Sequence, residues 1–394
     1  MLNKEKFKLL HSIRGFAALM VVIGHAKFPF WCGGTEYVKK FPQQDWNFFD
    51  KLVFGLDMFS SNPALMVIVF FVLSGFFIAY SFENNKWKIR HFYTNRAIRI
   101  YIPYIASIIL TIILFYSATL INNELFYSLN EREYNQGLVS NYQNFNFKTV
   151  AWNLIFVANP CYIGYNDPYW SLLIEAFFYL IAPFFVKRKK TFLLITSLLL
   201  IAGLFFKNIF LKYLGFEPLS NFITLYAFFF ALGYFTYWLI FEYKLQNKIK
   251  RINVWFYDIS AVVILLTAIY GSFFINYKYV YLLGGVFTVI AIYRVINYPI
   301  KTNWIHKFFI YMGKISYSMY LIHVPIFILL YSLLVKFTGV EVFYSRIYWF
   351  GVVIAVGISY LFYYAVEHQS LKLIKKFKEK IKPKTKNSQL KTKN

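Results

Sequence analysis

Long apolar runs, repeated along the whole chain, constrain what this sequence can fold into more than any other feature. Ten of them have the length that a helix needs to cross a bilayer: residues 9–28, 63–82, 99–121, 169–186, 191–210, 221–241, 255–275, 279–297, 313–336 and 346–366. With 59% hydrophobic residues in 394, the chain has more apolar surface than one soluble core buries. The sequence therefore predicts an all-α polytopic membrane protein, with about ten transmembrane helices around a membrane-embedded cavity.

The distribution of basic residues predicts how these helices are oriented. Alternate connecting segments, counted from the N-terminus, carry 30 of the 42 Lys and Arg residues. Because cytoplasmic loops are enriched in Lys and Arg, we expect both termini to be cytoplasmic. The net charge of +25 comes from these segments and the tail, so it does not indicate nucleic-acid binding.

The two long loops, 29–62 and 122–168, are expected outside the membrane on the opposite side. Each contains one of the two cysteines, Cys32 and Cys161. In an oxidising compartment they either pair or remain free thiols, and the sequence leaves both possibilities open. Their spacing fits no metal-ligand motif, so no bound metal is expected.

The chain divides into a transmembrane domain, residues 1–369, and a basic tail, residues 370–394. In the tail, Leu371, Ile374 and Phe377 recur at helical spacing among lysines. This pattern predicts an interfacial helix on the anionic inner leaflet, followed by a disordered cytoplasmic end.

The first apolar run contains two ionisable side chains, Arg14 and His25. A charge in the hydrocarbon core costs at least ~2.5 kcal/mol, so such a residue usually faces a partner, a cavity or a substrate. Eleven residues of α-helix rotate back to within about 20° and rise about 16 Å, so both side chains share one face. We interpret this face as a functional wall; a snorkelling arginine and an interfacial histidine are the alternative.

Two further groups of charged residues are candidates for chemistry. Glu175 lies some five residues below the expected outer surface in the fourth run, where His25 could meet it and be oriented by it. The alternative is a glutamate that locks helices by pairing with a Tyr or Lys. Arg96 and Arg99 project from one face of the third helix and suit the phosphates of a cytoplasmic cofactor. Topogenic charge is the alternative for that pair.

Three small or polar residues within the runs are interpreted as packing groups when each is taken alone. Ser74 and Gly75 form a small-residue step in the second run that allows close helix approach. His323, near the middle of the ninth run, fits a satisfied hydrogen bond between helices rather than a chemical role.

The blocks RGFAAL followed by His25, FFVLSGF, NRAIRIYIP, YWSLLIEAFFY and SYSMYLIHVP resemble, in order and spacing, those of the acyltransferase-3 family of membrane O-acyltransferases. The resemblance implies catalytic roles for Arg14, His25 and Glu175. It implies donor binding near Arg96, Arg99, Ser74 and Gly75, and we assign Trp170 and Ser171 to the acceptor. The family often has an acidic residue where this chain has His11, so any carboxylate near Arg14 must come from elsewhere.

By the same resemblance, the chain is expected to be an enzyme. It would take an acyl group, most simply acetyl, from cytoplasmic acetyl-CoA or another acyl-CoA, and transfer it to a hydroxyl of an extracytoplasmic cell-surface glycan. The expected partners are acyl-CoA, a surface polysaccharide or lipid-linked glycan, and membrane lipids. The alternative function is an exporter or flippase of a lipid-linked glycan, although the internal repeats typical of many transporters are not evident in the sequence.

Overall fold

The computed structural model describes residues 4–85, 89–127, 132–248, 252–339 and 341–381. Within these ranges every regular element is helical. The α-helices are α1 (Lys4–Phe30), α2 (Gly34–Lys40), α3 (Phe48–Phe59), α4 (Pro63–Asn85), α5 (Ile89–Ile121), α6 (Glu124–Tyr127), α7 (Glu133–Gln143), α8 (Phe147–Leu154), α9 (Trp170–Phe185), α10 (Lys189–Leu214), α11 (Glu217–Asn221), α12 (Ala227–Tyr237), α13 (Val254–Gly271), α14 (Tyr277–Asn297), α15 (Trp304–Thr338), α16 (Tyr348–Phe362) and α17 (His368–Ile381).

In this described part of the chain, ten helical segments are long and apolar enough to cross a membrane. They are Glu5–Phe30, Pro63–Glu83, Ile89–Ile121, Asp167–Phe185, Lys189–Leu214, Glu217–Glu242, Val254–Gly271, Tyr277–Asn297, Trp304–Thr338 and Tyr348–Phe377. Each overlaps one predicted run, so the all-α polytopic fold is confirmed. A short turn joins the seventh and eighth spans, and Asn276 caps α14 by accepting from the backbone N–H of Lys278.

Helices α1 and α15 form a closely packed parallel pair at the centre of the bundle. They cross where Gly15 meets Gly313, and a Cβ atom added to Gly15 would lie 2.0 Å from the carbonyl oxygen of Phe309. Only glycine allows backbones to approach this closely. Because the two helices run in the same direction, the crossing fixes their register, and residues ten positions further along, His25 and His323, are again neighbours.

A second close crossing joins α4 to α12 through Gly75 and Gly233. A Cβ on Gly75 would lie 2.1 Å from the carbonyl oxygen of Phe230, and one on Gly233 would lie 2.1 Å from that of Val72. Gly75 therefore serves close helix packing, which is the role that the small-residue step predicts. The neighbouring residue, Ser74, points to α9 instead, where it hydrogen-bonds to Glu175.

The two ends of the helix bundle are formed by different parts of the chain. Phe7 at the start of α1 lines one cavity together with Leu371 and Ile374 of α17, so both are at the same end, called the terminal end below. The opposite end, the loop end, contains the connections in which α2, α3 and α6–α8 lie. The predicted helix of the tail is present as α17, and its place on the membrane surface stays a prediction; residues 382–394 of the tail lie outside the described residues.

Candidate active site

A cavity of about 310 Å³ lies at the terminal end between α1, α4, α5 and α9, with α17 along its rim. This volume is within the range of small-molecule sites, about 300–1,000 Å³. Its wall brings together side chains from four helices that the sequence singled out separately: Arg14, Ser74, Arg96, Arg99 and Glu175. The structure thus collects most of the predicted site residues in one place.

The three arginines of this cavity have no ion pair or side-chain hydrogen bond to another described residue. Arg14 lies over the ring of Phe70, 5.7 Å from its centroid, and Arg96 lies over that of Tyr179 at 5.1 Å. The Nε atoms of both arginines are buried without a hydrogen-bond partner. Both side chains are half-buried, and a cation withdrawn from water is normally paired, so these guanidinium groups are suited to an anion that enters the cavity.

Glu175 is the carboxylate of the cavity, and its partners are neutral. Its Oε1 accepts hydrogen bonds from the hydroxyl of Ser74 at 3.2 Å and from that of Tyr179. Tyr179 follows Glu175 by one helical turn, so the two share a face of α9. The bond to Tyr179 therefore lies within α9, and it is the bond to Ser74 that joins α9 to α4. The cavity position leaves the carboxylate facing the same space as the arginines.

A second cavity, of about 280 Å³, lies against the first. Both are lined by His11, Arg14, Arg99 and Leu371, and the second adds two lysines, Lys8 and Lys314, and Glu367. Glu367 accepts hydrogen bonds from both the backbone N–H and the hydroxyl of Ser318, at 3.1 and 2.6 Å. The two cavities together form a basic vestibule at the terminal end, in which cations outnumber carboxylates.

His25 is not in this vestibule. Its Nδ1 lies 2.9 Å from Nε2 of His323, and neither cavity is lined by His25. The sequence predicted a contact between His25 and Glu175, but the described hydrogen bonds join each of them to other residues. Both cavities of the vestibule are lined by Arg14 and neither by His25, so neither runs along the face that the two residues share on α1.

The depth of Glu175 explains the difference. The start of α9 does not lie at the loop end of the bundle, because the segment before it dips between the helices: the hydroxyl of Tyr320 donates to the carbonyl of Pro168 at 2.6 Å, and Asn166 donates to that of Leu321 at 2.9 Å. These contacts place Pro168 at the level of Tyr320 and Leu321, and Glu175 follows Pro168 by seven residues, or about 10 Å, toward the terminal end. Irregular backbone is tolerated at such depth because protein surrounds it.

The end of α1 beyond His25 is held by Arg132, which lies just before α7 in the connection between α5 and α9. Its guanidinium donates to the carbonyls of Phe28, Pro29 and Trp31 at 2.7–3.0 Å, and to the hydroxyl of Tyr331 on α15 at 3.0 Å. A helix leaves its last carbonyls without partners, and a cation placed there also interacts favourably with the helix dipole. Arg132 therefore fixes α1 to α15 within about two helical turns of the histidine pair.

The residues assigned to the acceptor are engaged within the protein. The hydroxyl of Ser171 lies 2.6 Å from that of Tyr320, and the ring of Trp170 packs against those of Phe71 and Tyr226. Neither residue lines the described cavities. Their role in acceptor binding stays a prediction.

Three residues that line or complete this site were not assigned to it from sequence. Tyr179 could have been found from its spacing of four to Glu175 on one helix face. His323 was interpreted as a helix–helix hydrogen bond, which the structure confirms, but its partner is the candidate base. His11 joins the vestibule with a buried Nδ1 that has no hydrogen-bond partner, and only the fold brings it there.

Comparison with protein families gives one match that covers nearly the whole chain. Residues 8–364 fit the model of acyltransferase family 3, described as an acyltransferase domain. Comparison with curated proteins and with solved structures gives no match.

Proposed function

The chain belongs to the acyltransferase-3 family, and from that premise we propose that it is a membrane-bound O-acyltransferase of the bacterial inner membrane. The donor is cytoplasmic acyl-CoA, most simply acetyl-CoA, and the acceptor is a hydroxyl of an extracytoplasmic surface polysaccharide or lipid-linked glycan. The observation that carries this proposal is the vestibule at the terminal end, in which Arg14, Arg96 and Arg99 meet without an ion-pair partner among the described residues.

The donor suits this vestibule because its nucleotide end carries several phosphate charges. Guanidinium groups bind phosphate oxygens through two parallel N–H donors, so Arg96 and Arg99 are assigned to the phosphates. Arg14, which lines both cavities, is placed to contact the donor further inside. This arrangement requires the terminal end to face the cytoplasm, which is also the side on which the basic connections are expected.

The proposal also gives helix α17 of the tail a role at the donor site. In α17, Leu371 and Ile374 turn toward the cavity, whereas Leu373 and Phe377 are exposed and Lys372, Lys375 and Lys376 cover the other half of the helix. A helix with exposed apolar side chains beside lysines fits the anionic inner leaflet. We therefore place α17 on that surface, as one wall of the donor site.

The chemistry is assigned to the free nitrogen of His25. The acceptor oxygen attacks the carbonyl carbon of the thioester, a C–O bond forms and the C–S bond breaks, and the hydroxyl proton passes to Nε2 of His25. CoA leaves as a thiolate and takes this proton back from the imidazolium, so that thioester and alcohol become ester and thiol. In a second route that uses the same nitrogen, the acyl group is carried by His25 before the acceptor takes it.

In this proposal the acyl group has to move from the region of Arg14 to His25, which lie on the same membrane-spanning helix. Arg14 and His25 are eleven residues apart on one helix, about 16 Å along its axis. Neither of the two cavities is lined by His25. In this proposal the helices around α1 rearrange once the donor is bound, so that the thioester reaches His25.

The experiment that tests the function is transfer of a radiolabelled acetyl group. Membranes that contain the protein, in the presence of the glycan-producing host fraction, are supplied with [¹⁴C]acetyl-CoA, and label in alkali-labile ester on the glycan is counted. We expect label with the wild-type protein and only background with His25→Ala at matched protein level. Equal labelling by the two would contradict the proposal.

A further inference from the structure

The hydrogen bonds of His323 define which of its nitrogens carries the proton. Nδ1 of His323 lies 2.8 Å from the backbone carbonyl oxygen of Met319, one turn earlier on α15. A carbonyl oxygen can only accept, so Nδ1 of His323 is the N–H donor. His323 is fully buried, and none of its described hydrogen bonds involves a carboxylate. Since an imidazolium in that position would be an uncompensated charge in the membrane, the ring is neutral.

The proton on His323 determines the proton on His25. A neutral imidazole has one donor and one acceptor nitrogen, so Nε2 of His323 is an acceptor. Nδ1 of His25, 2.9 Å away, must then carry a hydrogen and donate it. The hydrogen bond described for His25 is to this neutral ring and not to a carboxylate, so His25 is neutral as well and its Nε2 is unprotonated. His25 is partly exposed whereas His323 is not, so the free nitrogen belongs to the ring that a substrate can approach.

We propose that His323 is the positioning residue of the transfer site: it holds His25 in the tautomer whose Nε2 is free to take the acceptor proton. The inference rests on the proposed function, because it names the group that prepares the base of that reaction. A base whose second nitrogen is held by a hydrogen-bond partner is oriented and kept in one tautomer, which is the arrangement found in catalytic triads. Here the partner is a neutral imidazole instead of a carboxylate.

The helix pair explains how the contact is maintained. The separation of 298 residues between His25 and His323 equals that between Gly15 and Gly313, where α1 and α15 touch backbone to backbone. Beyond the histidines, Arg132 binds the end of α1 and Tyr331 of α15. The pair is therefore fixed on both sides, so the two rings meet without depending on a flexible loop.

Two substitutions at His323 distinguish its role as a hydrogen-bond acceptor for His25 from a role in packing alone. His323→Leu removes the acceptor and fills a similar volume, whereas His323→Gln offers an amide oxygen to His25 and an amide N–H to the Met319 carbonyl. We expect the leucine variant to lose about 100-fold or more in kcat, with unchanged KM for acetyl-CoA, since misplacing a general base costs on this scale. The glutamine variant should retain activity within about 10-fold of wild type.

The outcomes decide the proposal in both directions. The proposal is overturned if His323→Leu keeps transfer activity within threefold of wild type. It is also overturned if His323→Leu and His323→Gln lose equal activity, because the hydrogen-bond acceptor at position 323 would then make no difference. Acetyl-CoA affinity is measured for each variant and shows that the folded vestibule is kept. If a variant does not fold, ¹⁵N NMR of the wild-type protein in lipid nanodiscs is the second measurement.

The ¹⁵N NMR spectrum reports the tautomer of His25 directly. The chain has six histidines, so the signals of His25 can be assigned by comparison with His25→Asn. We expect the Nδ1 of His25 to show the shift of a protonated nitrogen and Nε2 that of an unprotonated one; the reverse pattern overturns the proposal. A wild-type protein that shows this pattern but transfers no acetyl group would contradict the proposed function and leave the assignment of the tautomer intact.

Discussion

Lys189 and the arginines of the vestibule, all at the terminal end, differ sharply in their partners. Lys189, at the start of α10, is 4% exposed and is held by Glu83 at 2.9 Å and Glu242 at 2.8 Å. Arg14 and Arg96, in the neighbouring vestibule, contact aromatic rings and have buried Nε atoms without a partner. A paired cation fixes helices to one another, whereas an unpaired cation in a cavity remains available for a ligand. The difference predicts that Lys189 contributes to stability and the arginines to donor binding.

The largest effect is expected at His25, where chemistry takes place. His25→Ala should lower the transfer rate by about 1,000-fold or more while acetyl-CoA affinity stays within twofold, since a general base contributes about 10²–10⁴-fold. The protein should accumulate normally because alanine inserts more readily than histidine. Transfer at more than a tenth of the wild-type rate, measured with labelled acetyl-CoA, would contradict the assignment.

Substitutions of Arg14 distinguish the contribution of its positive charge to donor binding from that of its planar guanidinium group. Arg14→Ala should weaken acetyl-CoA binding by about 10- to 100-fold, since a hydrogen bond to a charged group contributes about 1.5–3 kcal/mol. Arg14→Lys keeps the charge but loses the planar pair of donors, so it should recover less than half of that loss in free energy. If Arg14→Lys bound acetyl-CoA as tightly as wild type, only the positive charge at position 14 would matter for donor binding. The measurement is the dissociation constant of acetyl-CoA, determined in nanodiscs.

Lys189 is the matched control for the arginines. Lys189→Met removes the partner of Glu83 and Glu242, which are partly exposed, so unfolding should become easier by about 1–3 kcal/mol. Acetyl-CoA affinity should remain within twofold. The melting temperature in detergent and the dissociation constant are measured on the same samples; a large loss of affinity without loss of stability would erase the contrast.

The smallest effect is expected at the cysteines on the loop end. Both thiols are free in the structure, and burial raises the pKa of Cys32 to about 11. A thiol with a raised pKa is almost fully protonated at pH 8, so maleimide should label Cys32 slowly and faster as the pH rises toward 11. Cys32→Ser with Cys161→Ser should change transfer less than twofold. A disulfide in the unreduced protein, seen by mass spectrometry, would contradict this expectation.

The sequence was most informative where a single helix sufficed. Span positions, the shared face of Arg14 and His25 and the arginine pair on α5 depend on length and helical period, which are local properties. The prediction for Glu175 was wrong in its partner, because counting depth assumed that α9 starts at the surface. The dipping segment around Pro168 is held by Tyr320, more than 150 residues away, and no local pattern reveals such a contact.

The same limit applies to the histidine pair. His323 was interpreted correctly as a hydrogen bond between helices, but its partner depends on the register of α1 against α15. That register is set where Gly15 meets the backbone of Phe309, and a glycine alone does not specify which helix it faces. The sequence supplied the residues of the site, and the packing of distant helices determines their partners.

The central claim is that the unpaired arginines of the vestibule bind the phosphates of the donor. The measurement is the affinity ratio of two ligands that share the thioester arm, acetyl-CoA and S-acetylpantetheine, for wild type and for Arg96→Ala with Arg99→Ala in nanodiscs. We expect wild type to bind acetyl-CoA at least about 100-fold more tightly, and the double variant to reduce this ratio below about 10-fold, since each charge-assisted contact to phosphate contributes about 1.5 kcal/mol or more. An unchanged ratio in the double variant would contradict the claim.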